Sequence, residues 1–212
     1  RKEHCFSNHK WKGTSDTETL LSLFQFYNIE NILNKLEGMF AFCVFDNYEK
    51  KIILARDRSG EKPLYISSNN NFFSFSSDLI SLMKLPNFEK NICLNSLHHF
   101  IMHNYILNPN SIFTSTYKLP PSSFLILDLK KYDFKKLNSF NELINQKGIF
   151  FKKWWNIREK YKINFHKNNY FNNTEEILSK SIKNRLISDV PLGAFLSGGI
   201  DSSLTVALMQ KL

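Results

Sequence analysis

A short stretch near the end of the sequence, residues 192–203, constrains the fold more than any other. Its apolar residues 194–196 predict a short buried strand. Gly198 and Gly199 then allow a sharp turn with positive φ, and an apolar helical run at 204–212 follows. Strand, glycine turn and helix in this order are typical of a parallel α/β sheet, with the ligand at the carboxyl end of the strand.

The same turn predicts an anion-binding site. Backbone N–H groups at a helix start lack intrahelical partners and lie at the positive end of the helix dipole, so phosphate is the usual ligand. Asp201, Ser202 and Ser203 could simply cap the helix, which makes an ordinary capped turn the alternative. The complete string Ser-Gly-Gly-Ile-Asp-Ser-Ser favours a nucleotide site, although no Gly-Lys-Ser/Thr of the Walker A pattern follows the glycines.

This string resembles the pyrophosphate loop (PP-loop) of ATP pyrophosphatases, which cleave ATP between the α and β phosphates and leave AMP on an acyl group. The resemblance implies that the loop amides and two serines hold the departing pyrophosphate, that Leu196 lines the adenine or ribose side, and that Asp201 helps to bind Mg²⁺. The ATP-binding residues implied in this way are Leu196, Ser197, Gly198, Gly199, Asp201 and Ser202.

Length and composition indicate a globular chain. The 212 residues suffice for one large domain, or for one domain and part of another, and 42% apolar residues can form a packed core. Because the sequence begins at Arg1 and ends within a helical pattern, we expect a fragment. No apolar run has the length of a membrane span, and no signal peptide is recognisable. The lack of such a run suggests no membrane partner. Three cysteines without metal-type spacing suggest a reducing, cytoplasmic setting.

The net charge of +9 is regional, since half of the 28 basic residues lie between Lys130 and Arg185. A non-catalytic, basic nucleic-acid-binding segment is therefore an alternative from a different functional class. The aromatic residues of the same region form no recognisable RNA-binding module. We therefore predict a solvated basic segment and no nucleic-acid partner.

The first helix start leaves one carboxylate without a structural role. Ser15-x-x-Glu18 fits a capping box, in which each side chain satisfies a free backbone N–H. Asp16 is not needed for that cap. It is therefore a candidate for binding a cation such as a substrate ammonium.

The following residues predict strands. A continuous apolar run at 39–45 predicts a strand covered on both faces, and strands at 51–56, 64–67 and 72–76 would complete an antiparallel meander with helices on its faces. A helix is expected at 95–103 and a last strand at 123–128. His99 and His103 have metal-type spacing, but without a third ligand we interpret them as ordinary packing residues.

Five motifs along the chain resemble the class II glutamine amidotransferase domain of glutamine-hydrolysing asparagine synthetases. They are, in order, Gly-Met-Phe-Ala-Phe from Gly38, Ala-Arg-Asp-Arg-x-Gly-x-Lys-Pro-Leu-Tyr from Ala55, Phe-x-Ser-Asp-Leu from Phe75, His-Asn-Tyr-Ile from His103 and Tyr-Lys-Leu-Pro-Pro from Tyr117. A Pro121-Ser122-Ser123 string departs from the usual Pro-Pro-Gly and is expected to alter a turn.

The resemblance implies an α+β fold, namely an incomplete four-layer αββα N-terminal-nucleophile glutaminase domain, followed by the start of a parallel α/β ATP-pyrophosphatase domain. It implies that Asp16 accepts the α-ammonium of glutamine. The family nucleophile is a processed N-terminal cysteine. None of Cys5, Cys43 and Cys93 matches it, so we assign no catalytic residue and expect the fragment alone to be inactive.

We predict a glutaminase domain at 1–129, an interdomain linker at 130–172, and the start of the synthetase domain at 173–212, with a helix capped by Asn173 and Glu176. The parent enzyme would be a carbon–nitrogen ligase that makes asparagine from aspartate. Its ammonia would come from glutamine, and it would use ATP and Mg²⁺ and pass through β-aspartyl-AMP. A related amidotransferase acting on another carboxylate, of a surface sugar or a β-lactam precursor, is the alternative. Homodimerisation of the parent stays open.

Overall fold

The computed structural model describes residues 6, 9–69, 72–157 and 170–212, with side chains in the last range from residue 173. The chain divides into two compact units, Arg1–Ile157 and Arg158–Leu212. This division differs from the predicted domain boundary at residue 129, because residues 130–157 fold with the first unit.

Two helices open the first unit, and side-chain caps define their starts. Helix α1, Asp16–Leu23, begins after Ser15, whose hydroxyl accepts a hydrogen bond from the Thr17 amide at 3.1 Å. Helix α2, Ile29–Lys35, begins after Asn28, which accepts from Asn31 N at 2.9 Å. The predicted N-cap Ser15 is thus confirmed, and the Glu18 carboxylate accepts from the amides of Lys12 and Gly13.

Within the described residues of the first unit, seven strands form two antiparallel sheets. The strands are β1 Ala41–Asp46, β2 Lys51–Arg56, β3 Tyr65–Ser68, β4 Phe73–Ser76, β5 Thr116–Lys118, β6 Ser123–Asp128 and β7 Ile149–Lys153. Sheet A has the order β1-β2-β6-β7, and sheet B has the order β4-β3-β5. In sheet A, Leu54 pairs with Cys43 on one side and with Leu125 on the other.

The prediction of a single meander is wrong, because its four strands belong to two sheets. The β1–β2 hairpin lies in sheet A and the β3–β4 hairpin in sheet B. The prediction that both faces of strand β1 are covered is also wrong, because alternate side chains on one of its faces are exposed. Cys43 and Phe45 are exposed, the latter by 52%.

The main core lies between the two sheets. It joins Leu54 and Leu125 of sheet A to Ile66 of sheet B, and all three side chains are fully buried. Burial of each such side chain contributes about 1.5–3 kcal/mol. A second cluster packs α2, through Leu33, on Ala55 and Phe124 of sheet A. Helix, sheet and sheet are therefore successive layers, which confirms the predicted α+β class with antiparallel sheets.

Residues 130–157, predicted as linker, contain regular structure. Helix α5, Phe140–Ile144, and strand β7 lie there, and Leu137, Phe140 and Leu143 are buried in the main core. The sequence signal is weak because polar residues separate these few apolar anchors. Pairing of β7 with β6 is a long-range property that local periodicity does not report.

Two short helices, α3 Leu79–Met83 and α4 Leu94–His103, separate β4 from β5. The second unit contains α6, Tyr170–Lys183, and α7, Ile200–Lys211. Since α6 starts at Tyr170, Asn173 lies inside the helix, and the predicted cap there is wrong. The predicted buried strand at 194–196 is also absent, with Phe195 fully exposed, because the described residues of this unit offer no strand for it to pair with.

Among the described residues, none of the helices combines the length and apolarity that crossing a membrane requires. The same part of the chain has no group of three or more His, Cys, Asp or Glu side chains placed to hold a metal ion. His99 and His103 stack with ring centroids 6.0 Å apart on α4.

Candidate functional site

A cavity of about 480 Å³ opens beside the start of α1 in the first unit. It lies where the ends of several elements meet: the start of α1, the end of α2, the start of β1 and the loop before β3. Its lining residues are Asp16, Thr17, Leu20, Leu36, Glu37, Met39, Phe40, Ala41, Phe42, Lys62, Pro63 and Ser77. The volume lies in the range of small-molecule sites, about 300–1,000 Å³.

The charges of this cavity suit a zwitterion. Asp16 is the first residue of α1, and its neighbour Thr17 donates a weak hydrogen bond of 3.4 Å to its carboxylate. Capping of the helix uses Ser15 instead. Glu37 adds a second carboxylate and Lys62 an ammonium to the same lining. An α-amino acid offers the complementary pair of charges.

A buried carboxylate, Asp57, joins two walls of the cavity. Asp57 is 1% exposed. Its Oδ2 accepts hydrogen bonds from the amides of Phe40, at 3.3 Å, and Lys62, at 3.0 Å. Its Oδ1 accepts from the amides of Ser59, at 3.1 Å, and Glu61, at 2.9 Å. One carboxylate therefore fixes the loop that carries Lys62 against the start of β1.

Arg56 holds the same loop from the other side. Its guanidinium donates to the carbonyl oxygens of Lys62 at 2.7 Å, Gly60 at 2.6 Å and Leu119 at 2.6 Å. Burial lowers the pKa of Arg56, and the adjacent Asp57 carboxylate opposes that change. The planar, forked guanidinium reaches three carbonyls at once, which a lysine ammonium on a flexible stem would not do in the same geometry.

The second candidate site is the loop at the start of α7, in the second unit. Gly198 has a φ of +81°, and Gly199 is the N-cap residue of α7 without a side-chain cap. The hydroxyls of Ser197 and Ser202 lie 3.0 Å apart, and Ser202 also donates to the Gly199 carbonyl at 3.0 Å. Two hydroxyls and the free amides of the first turn thus converge, as an anion site requires.

Asp201 lies in the first turn of the same helix. A carboxylate beside bound phosphate is unfavourable unless a cation lies between them, and Mg²⁺ is commonly held by one or two carboxylates together with substrate phosphates. One carboxylate next to a hydroxyl-lined anion site fits that pattern. Leu196 precedes the turn and is 63% exposed, so it is accessible to a ligand.

The structure therefore brings Ser197, Ser202 and the two glycines of the second site together in one turn. It places Asp16 in a cavity together with residues that sequence reasoning did not select, namely Glu37, Lys62 and Ser77. The concentration of charged residues in the loop before β3 could have indicated Lys62 as a candidate site residue. Nothing local indicated that Glu37 and Ser77, 40 residues apart, line one cavity.

The two candidate sites lie in segments of the chain that match two different family models. Residues 1–138 match the family model of the glutamine amidotransferase domain, and residues 173–212 match that of asparagine synthase. A putative glutamine-hydrolysing asparagine synthetase 2 of Methanocaldococcus jannaschii is 34% identical, over 93% of this chain and 35% of that protein. The glutamine-hydrolysing asparagine synthetase 3 of Bacillus subtilis is 27% identical, over 98% of this chain and 31% of that protein.

Among solved structures, the glutamine phosphoribosylpyrophosphate amidotransferase of B. subtilis complexed with ADP and GMP aligns with a TM-score of 0.42 at 16% identity, over 97% of this chain and 39% of that chain. The chain spans about a third of the length of the curated relatives it matches. Since the amidotransferase model covers residues 1–138 of 212, the chain belongs to the glutamine amidotransferase domain family.

Proposed function

We propose that this chain is part of a glutamine-hydrolysing asparagine synthetase. The observation that carries the proposal is the pairing of two chemistries in one chain. The cavity that contains Asp16 is lined by side chains of both charges, and it lies in the segment that matches the amidotransferase family. The serine–glycine anion loop lies in the segment that matches asparagine synthase. Neither feature alone supports an ATP-dependent amidation.

In the first reaction, glutamine and water yield glutamate and ammonia. Asp16 binds the α-ammonium of glutamine inside this cavity, where Lys62 supplies a positive charge to the same lining. The loop that carries Lys62 is held in place by Asp57 and Arg56, so the cavity is organised before the substrate binds. Such preorganisation lowers the ordering cost of binding.

In the second reaction, the β-carboxylate of aspartate attacks the α-phosphorus of ATP, the bond between the α and β phosphates breaks, and pyrophosphate leaves. Ammonia then attacks β-aspartyl-AMP and expels AMP, which yields asparagine. Ser197, Ser202 and the amides at the start of α7 bind the leaving pyrophosphate. Asp201 is the residue that would hold a Mg²⁺ ion here, and such an ion would supply positive charge to the phosphates. Adenylylation is needed because a carboxylate oxygen is otherwise a poor leaving group.

The test uses the full-length protein with ATP, Mg²⁺ and aspartate, and with either glutamine or ammonium chloride. Asparagine and inorganic pyrophosphate are expected in equal amounts with both nitrogen sources. An Asp16→Asn variant should raise the KM for glutamine at least about tenfold, because a hydrogen bond to a charged group contributes about 1.5–3 kcal/mol. Its ammonia-dependent reaction should be unchanged.

Asp133→Asn is the matched control, since Asp133 is an exposed carboxylate in the same unit that does not line the Asp16 cavity. Release of pyrophosphate only when another carboxylate replaces aspartate would reassign the acceptor to the surface-sugar or β-lactam type. No pyrophosphate with any acceptor would refute the proposed ATP chemistry.

A further inference from the structure

A larger cavity of about 620 Å³ lies elsewhere in the first unit and shares no lining residue with the cavity that contains Asp16. It is bounded by the start of α4 and by segments 109–117 and 136–141. Most of its lining side chains carry hydroxyl or amide groups, among them Asn91, Ser111, Thr114 and Asn138. The proposed amidation uses none of them.

Cys93 lines this cavity at the position where α4 begins. It is the N-cap residue of the ten-residue helix Leu94–His103, and its side chain makes no capping hydrogen bond. The residue is partly exposed. A sulfur at this position faces the positive end of the helix dipole, which favours the thiolate over the thiol.

Ser96, one turn further along α4, provides an independent observation. It lines the same cavity and is only 1% exposed, yet its hydroxyl has no hydrogen-bond partner within the described part of the chain. A buried polar group without a partner is uncommon in folded proteins and calls for an explanation. A thiolate at Cys93, or a group bound to that sulfur, would supply the missing acceptor.

The pKa values of the two described cysteines shift in opposite directions. The Ser96 hydroxyl does not meet hydrogen-bond geometry with any described group, but it lies near enough to the Cys93 sulfur to favour the thiolate. Together with the amides of Ser96 and Asn95, it lowers the pKa of Cys93 against the effect of partial burial. Desolvation raises the pKa of Cys43 on β1. Cys43 is nevertheless the more exposed residue of the two. Accessibility alone therefore predicts that Cys43 reacts faster than Cys93. Ease of ionisation predicts that Cys93 reacts faster.

We propose that Cys93 is a site of reversible thiol modification, which takes a small polar disulfide of the glutathione class and accommodates the added half in the adjoining cavity. The Cys93 thiolate attacks one sulfur of the disulfide, a new S–S bond forms, and the original S–S bond breaks. The other half leaves as a thiolate and takes up a proton, so no further oxidant is needed. The hydroxyl and amide side chains that line the cavity can form hydrogen bonds with the peptide groups of such an adduct.

The test incubates the full-length protein with oxidised glutathione, blocks the remaining thiols at timed intervals, and measures the adduct at each cysteine by peptide mass spectrometry. Cys93 is expected to react at least about tenfold faster than Cys43, because the thiolate is the reacting species. Equal rates, or a faster Cys43, would overturn the proposal.

A Ser96→Ala variant tests whether the Ser96 hydroxyl, and not only the exposure of the sulfur, sets the modification rate of Cys93. It should slow the modification of Cys93 by about threefold or more and leave Cys43, measured in the same sample, unchanged. Since the hydroxyl has no partner in the described structure, its removal is not expected to disturb folding, which far-UV circular dichroism checks. An unchanged Cys93 rate in the folded variant would contradict the role given to Ser96.

Discussion

At the scale of single residues, Ser122 shows how the chain tolerates a strained backbone. Its φ is +56°, in the region that favours glycine. Three hydrogen bonds hold it there: its amide donates to the Asp57 carbonyl, its carbonyl accepts from Trp154 N, and its hydroxyl donates to the Arg58 carbonyl at 2.7 Å. These three hydrogen bonds thus compensate locally for a backbone conformation that glycine would adopt without strain.

We expect the two simplest substitutions of Ser122 to differ in stability. Ser122→Gly removes the strain and the hydroxyl together, each of about 1 kcal/mol, so the free energy of unfolding should change by less than about 1 kcal/mol. Ser122→Ala keeps the strain and loses the bond, so it should cost about 1–2 kcal/mol. Urea denaturation followed by tryptophan fluorescence measures both. An alanine variant as stable as the wild type would show that the hydroxyl contributes nothing.

At the scale of elements, the connection between α5 and β7 depends on close backbone contact. Gly148 has a φ of +83°, and its carbonyl accepts from the amide of Asp128 at the end of β6. A Cβ atom at this position would lie 2.7 Å from Tyr132 N and 2.9 Å from the carbonyl carbon of Lys131. Both neighbours are backbone atoms, so no side-chain rotation can relieve the contact.

Gly148→Ala should therefore destabilise the first unit by about 2–4 kcal/mol, through backbone strain and overpacking together. Gly13→Ala is the matched control, since its nearest neighbour would be a carboxylate oxygen of Glu18 at 3.8 Å, and its effect should be within about 0.5 kcal/mol. Thermal unfolding of the two variants compares them directly. A Gly148→Ala protein as stable as the control would mean that this connection does not fix β7.

At the scale of the whole molecule, the basic excess is less concentrated than the sequence suggests. Among the described residues, Lys131, Lys135, Lys136 and Lys152 pair with Asp128, Glu142, Glu89 and Glu30, respectively. Such exposed pairs contribute little stability, about 0–1 kcal/mol each. They place acidic groups beside several of the lysines between 130 and 185.

The pH dependence of stability should reveal a buried phenol. Desolvation, followed by the charges of Glu142 and Cys93, raises the pKa of Tyr117 to about 12. An unfolded tyrosine ionises near its ordinary value of about 10. Between these values the unfolded state binds fewer protons than the folded state, so stability is retained below about pH 10 and falls as the pH rises toward 12, by about 2 kcal/mol.

A Tyr117→Phe variant should show a smaller fall over that pH range, measured as the free energy of unfolding at several alkaline pH values. Tyr48→Phe is the control, because Tyr48 is 89% exposed and should leave the dependence unchanged. Burial also raises the pKa of Tyr132, so part of the fall should persist in the first variant. Identical curves for both variants would exclude Tyr117 as a source.

The sequence by itself determined the features that depend on neighbouring residues. It located the cap at Ser15, the strands 51–56 and 123–128, and the glycine turn before α7. It also indicated the family, since five ordered motifs are local strings. Asp16 could be selected because a capping box leaves it unused. Its role in binding glutamine remains a prediction.

Only the tertiary structure decided how the strands are shared between two sheets, that residues 130–157 fold with the first unit, and which side chains line each cavity. These features depend on contacts between distant residues. Arg56 reaches the carbonyl of Leu119, 63 positions away, and Trp154 donates from its indole to the Arg56 carbonyl across 98 positions. Hydrophobic periodicity and turn propensity report only the nearest few residues, whereas burial and hydrogen bonding across the core select one arrangement among many with the same local pattern.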